Sequence, residues 1–92
     1  MDNVYKKVQN LHNRFKDTVD EPQAAIATSL RNDMQRLEDE IEMQKNKGTL
    51  EDRVKDIIRK LESHRNDSFM SYDDVKFLIN RFDDLRQDIR KL

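Results

Sequence analysis

The chain is predicted to be an all-α protein, an antiparallel up-down bundle of four helices with coiled-coil-like packing. Three observations carry this expectation. Apolar residues recur at alternating steps of three and four along most of the chain, the signature of one helical face. The 92 residues contain one Gly and one Pro, so almost nothing interrupts a helix. Three short interruptions each carry helix-start chemistry. Helices are expected over about 3–18, 22–46, 50–65 and 71–92, forming one domain over 1–92.

The first segment shows Val4, Val8, Leu11 and Phe15 on one face, with Asp2 as its expected N-cap. It ends at Val19-Asp20-Glu21-Pro22, because proline disfavours helical geometry in the residue before it. Asp20 is then expected to cap the second helix, with Pro22 in its first turn and Gln23 completing a capping box. Along that helix Ala27, Leu30, Met34, Leu37 and Ile41 form the stripe. A run from 22 to 46 would be nearly 40 Å long at about 1.5 Å per residue. Gly48 is expected as the left-handed cap that ends it.

Thr49 is expected to cap the third helix, with Asp52 as its box partner. The stripe there is Leu50, Val54, Ile57 and Leu61, broadened by Ile58. Ser71 and Asp74 form the fourth start signal, and Met70 and Val75 stand at the positions of a hydrophobic staple. The last stripe is Val75, Leu78, Phe82, Leu85, Ile89 and Leu92. Short connections favour antiparallel neighbours. A stripe of two positions per heptad is narrow for a closed bundle. Two outcomes are therefore open: the bundle closes on itself, with the Val75–Leu92 stripe meeting the first and third helices, or, the favoured expectation, a homodimer completes it with that stripe as its contact surface.

Charged residues make up 40% of the chain, yet the net charge is −1. Residues 1–19 carry four basic and two acidic side chains, while residues 20–47 carry seven acidic and four basic ones. Long-range attraction to nucleic acid or an anionic membrane is thus weak. There is no cysteine and no apolar run of membrane-spanning length, so a cytoplasmic protein with no membrane partner is expected.

The inventory does not favour an enzyme. There is no glycine-rich phosphate cradle and no cysteine nucleophile. No cofactor and no metal are expected, since no Glu-x-x-His pairs occur. His12 is expected at the surface and His64 near a fraying helix end. Glu38, Asp39, Glu40 and Glu42 read as a solvated face, because neighbouring helical positions point in different directions.

The leading expectation is a protein-protein interaction module acting as regulator, adaptor or assembly factor. Its candidate contacts are Phe69, Met70, Tyr72 and Phe77, with Leu85 and Ile89 on the last stripe, because aromatic and methionine side chains are favoured at such contacts; the other reading of Phe69, Met70, Tyr72 and Phe77 is that they plug the open end of the bundle. The alternative is a nucleic-acid-associated protein using Lys6, Lys7, Arg14 and Lys16 on the first helix to contact phosphates.

Overall fold

The computed structural model describes residues 2–92, with the backbone alone for Asp2. The expected Asp2 cap therefore lies outside the described residues. Four helices account for most of the chain: α1 (Asp2–Thr18), α2 (Ala25–Glu42), α3 (Lys47–Ser63) and α4 (Tyr72–Arg90). They pack in a ring. Helix α1 lies against α2 and α4, and α3 lies against the same two, and among the described residues the backbones of neither diagonal pair approach closely. The molecule measures 35 × 20 × 18 Å, which suits helices of about 27 Å lying along the long axis.

All four stripes point at one core. Val8, Phe15, Leu30, Met34, Leu37, Leu50, Val54, Ile57, Leu61, Leu78, Phe82 and Ile89 are fully buried. The stripe of α4 is therefore consumed inside the chain. Leu85 retains only 1% of its surface, and the core needs no second copy to cover it. Leu92 alone of that stripe is exposed, just beyond the helix. The narrowness of the stripes is made up by side chains at their edges. Tyr5, Leu11, Ile26, Ile58, Phe77 and Ile79 pack half-buried against the core. Each apolar side chain fully buried contributes about 1.5–3 kcal/mol, so the four stripes dominate the stability.

Two expectations about the surface are corrected. His12 is buried, with 4% of its surface left, and Glu38 is buried beside it. His12 Nδ1 lies 3.0 Å from Glu38 Oε2, while Nε2 is buried with no partner. The inward positions of α1 are Val4, Val8, His12 and Phe15. Leu11, one position back, rolls to the edge. Burying a carboxyl group is costly unless a hydrogen-bond partner meets it, and the imidazole of the facing helix is that partner. His64 does lie near a helix end, half-exposed, with Nδ1 2.6 Å from Asp67 Oδ2.

The connections differ from expectation in their details. Helix α2 starts at Ala25, three residues late, with Ala24 as an N-cap that makes no side-chain hydrogen bond. The reason lies in the preceding loop. The backbone N–H groups of Asp20 and Glu21 both donate to the Phe69 carbonyl, at 2.8 and 3.1 Å. They tie this loop to the connection between α3 and α4, and a turn closed by Ala24 N–H donating to the Glu21 carbonyl at 3.0 Å leads into the helix. Helix α2 is correspondingly about 27 Å long.

Its end is a Schellman motif. Lys45 N–H donates to the Glu40 carbonyl and Gln44 N–H to the Ile41 carbonyl, both at 3.0 Å. Gln44 takes the left-handed conformation, with φ 56°, that had been expected of Gly48. Gly48 sits instead in the first turn of α3, and its φ is not positive. The cap of α3 is Asn46 rather than Thr49, its side chain accepting from Thr49 N–H at 2.9 Å. The Ser71 cap of α4 is as expected. Asp74 N–H donates to Ser71 Oγ, and the hydroxyl donates to Asp74 Oδ2 at 2.8 Å.

Ion pairs lock neighbouring helices. Lys60 Nζ reaches Asp33 at 2.5 Å and Ser29 at 2.8 Å. Arg53 donates to Glu40 at 2.8 Å. That hydrogen bond, chiefly, raises the pKa of Arg53 above an already high value, so its charge is permanent.

Two outcomes are expected from this architecture. A left-handed residue other than Gly costs about 1–2 kcal/mol, so Gln44→Gly should raise stability by about 0.5–1 kcal/mol in urea unfolding. Glu38→Leu should destabilise the chain, because it strips His12 of its one buried partner. The double variant His12→Leu/Glu38→Leu should recover at least about 1 kcal/mol of that loss, measured as the coupling in a double-mutant cycle.

Candidate interaction groove

Helices α1 and α4 leave an open groove of about 500 Å³ between their outer edges. Lys7, Asn10, Leu11 and Arg14 line it from α1, and Phe77, Arg81, Asp84, Leu85 and Asp88 from α4. Helical periodicity explains the two linings. Positions 7, 10, 11 and 14 fall on one side of a helix, as do 77, 81, 84, 85 and 88. Both strips lie beside the buried stripes, which is why Leu11 and Phe77 are half-buried.

Phe77 and Arg14 form one end of the groove. Arg14 Cζ stands 4.0 Å from the ring centroid and Arg81 Cζ 5.0 Å from it. Both distances lie within cation–π range. At the other end Lys7 Nζ pairs with Asp88 Oδ2 at 2.5 Å. Arg81 pairs loosely with Asp84 at 3.7 Å, both side chains largely exposed. Such surface pairs contribute little. Arg14 is different. Among the described residues its guanidinium meets no carboxylate and makes no hydrogen bond.

The structure divides the expected contact cluster. Phe69 and Met70 are corrected from surface anchors to core residues; they fill the end of the bundle between the first and third connections. Leu85 and Ile89 are likewise core. Leu85 reaches the groove only as its floor. Tyr72 is 53% exposed and lies on the other flank of α4, in a cleft of about 150 Å³ with Glu62, Arg65 and Ile79. Tyr72 and Phe77 are five residues apart, which turns them well away from each other on a helix.

The basic residues of α1 are divided in the same way. Lys7 and Arg14, seven apart, share the groove face. Lys16 is nine residues from Lys7 and so points roughly 180° away from it, while Lys6 is exposed outside the groove. The four do not make one phosphate-facing strip. Among the described residues no three acidic or histidine side chains converge as they would around a metal ion, and no described helix is long and apolar enough to cross a membrane.

Comparison with protein-family models, with curated proteins and with solved structures found no significant match to this chain.

Sequence reasoning singled out Phe77 as lying off the seam, and Lys7 and Arg14 as basic, but assigned them to different functions. Only packing of α1 against α4 unites them. Leu11 was expected on the core stripe and lies at its edge instead, while Asn10, Arg81 and the absence of a partner for Arg14 among the described residues carried no signal beyond residue type. Because the Arg14–Phe77 contact is partly exposed, a double-mutant cycle of Arg14→Ala and Phe77→Ala should show a favourable coupling of about 0.5–1 kcal/mol, read from urea unfolding.

Proposed function

We propose that the chain is a small non-enzymatic interaction module that docks another protein in the α1–α4 groove. The observation that carries this reading is the Phe77 ring. It is a large aromatic side chain off the core stripe, half-buried, in the wall of a groove with an apolar floor and a polar rim. Interfaces draw most of their affinity from such anchors surrounded by polar groups.

The reading includes an antiparallel up-down course of the four helices, which would bring α1 and α4 side by side along their length. Pairs between opposite ends of neighbouring helices support it. Lys7 near the start of α1 meets Asp88 near the end of α4, and Glu40 near the end of α2 meets Arg53 near the start of α3. Arg90 at the end of α4 likewise meets Glu51 at the start of α3. Regulation, adaptation or assembly are all compatible with such a module. The spread of Lys6, Lys7, Arg14 and Lys16 over different faces makes nucleic-acid binding through α1 the less favoured reading.

A photo-crosslinking residue placed at Asn10, on the groove rim, should capture a partner in cells, whereas one at Lys55, on the α3–α4 side, should not. With the captured partner purified, Phe77→Ala should weaken its binding by about tenfold or more, the loss of an aromatic anchor. Equal crosslinking from both positions, or unchanged affinity, would overturn the docking site.

A further inference from the structure

The chemistry of the groove narrows its occupant. Its walls carry three cations and two carboxylates. Lys7 is neutralised by Asp88, and Arg81 has Asp84 beside it. The remaining positive charge is that of Arg14. A guanidinium over an aromatic ring gives its charge to the ring face and keeps its N–H donors for a second group. An arginine held in place this way, with Asn10 next to it on the rim, suits a carboxylate, which it can bind through two parallel hydrogen bonds. A phosphate is less suited. Its charge is nearly double, and the groove leaves a single guanidinium to balance it.

Shape adds a second constraint. The α4 wall runs from Phe77 to Asp88, about 16 Å, and the α1 wall from Lys7 to Arg14, about 10 Å. Between two helices, a groove of this length accepts two to three turns of a third, laid in by apolar side chains at helical spacing. Leu11, Phe77 and the Leu85 floor would receive those side chains.

We infer that the groove takes an amphipathic helix of another protein, and that Arg14 receives a Glu or Asp side chain which that helix carries beside its apolar face. This rests on the docking reading above. The occupant is thus specified by charge as well as by shape: one acidic group next to large aliphatic residues.

The test uses the full isotope-labelled chain and three blocked helical peptides of about four turns. The first has one Glu among leucines; the others carry Gln or phosphoserine in its place. Amide NMR titration to millimolar peptide reads both the site and the affinity. The expected result is movement of the Leu11, Arg14 and Phe77 amides, with the Glu peptide binding about tenfold or more tightly than the Gln peptide, as a charge-assisted hydrogen bond predicts. Arg14→Gln should abolish that difference. Equal binding of the Glu and Gln peptides, or no effect of Arg14→Gln, would overturn recognition of an acid and leave docking in place. Tighter binding of the phosphoserine peptide would overturn the choice of a carboxylate. Movement of the same amides on concentrating the chain alone would assign the groove to a second copy. Failure of every peptide to move the groove amides would sink both the inference and the docking reading.

Discussion

The structure depends on one constraint: each helix carries a single narrow apolar stripe, and four such stripes can be buried together only around a shared axis. The charged faces must then all point outward. This accounts for a chain with 40% charged residues and a mean hydropathy of −1.06 that nevertheless closes a fully buried core. The stripes are thin, so the residues flanking them do not reach solvent freely. They become the half-buried edges where neighbouring helices meet, and every surface feature of interest lies on those edges.

The connections set how the stripes come together. Phe69 is the clearest case. Its ring is buried, and its carbonyl accepts two backbone N–H groups from the first connection. One residue thus plugs the end of the bundle and ties two loops to each other. At the other end a Schellman turn at Gln44 leads directly into the Asn46 cap, so α2 and α3 are joined with hardly a residue to spare. Across the ring, Lys60–Asp33 and Arg53–Glu40 hold α2 against α3. The buried His12–Glu38 pair joins α1 to α2 from inside. Its value lies in matching two polar groups that would be costly apart.

The α1–α4 groove is a consequence of the same geometry. Where α2 and α3 are bridged by long charged side chains that dock on one another, the α1–α4 edge instead places Phe77 against Arg14 and Arg81. The ring is too far round α4 to enter the core and too apolar to be fully solvated, so cations shelter it. A site so arranged has an apolar floor, a fixed aromatic surface and a guanidinium with free donors. Those are the elements from which helix-binding grooves are made.

The helices, the inward stripes of α2, α3 and α4 and the Ser71 cap were legible in the sequence, because periodicity and capping act between residues three or four apart; in α1 His12 took the inward place expected of Leu11. The start of α2, the cap of α3 and the left-handed residue were misplaced by a few positions. The last two are settled by local turns that residue type did not single out, a Schellman turn at Gln44 and the Asn46 cap, while the loop before α2 is tied by a distant group, the Phe69 carbonyl. Part of the groove was visible as isolated residues, Phe77, Lys7, Arg14 and Leu85, but not as a site, since Arg14 and Phe77 are 63 positions apart. Sequence alone determined that this chain makes helices with one buried face each, since backbone propensity and hydrophobic spacing are local. Only the tertiary structure decided that the last stripe is covered from within, that His12 and Glu38 are buried as a pair, and that Arg14 stands over Phe77. Those depend on which helix lies beside which, and that is set by the closing of the ring.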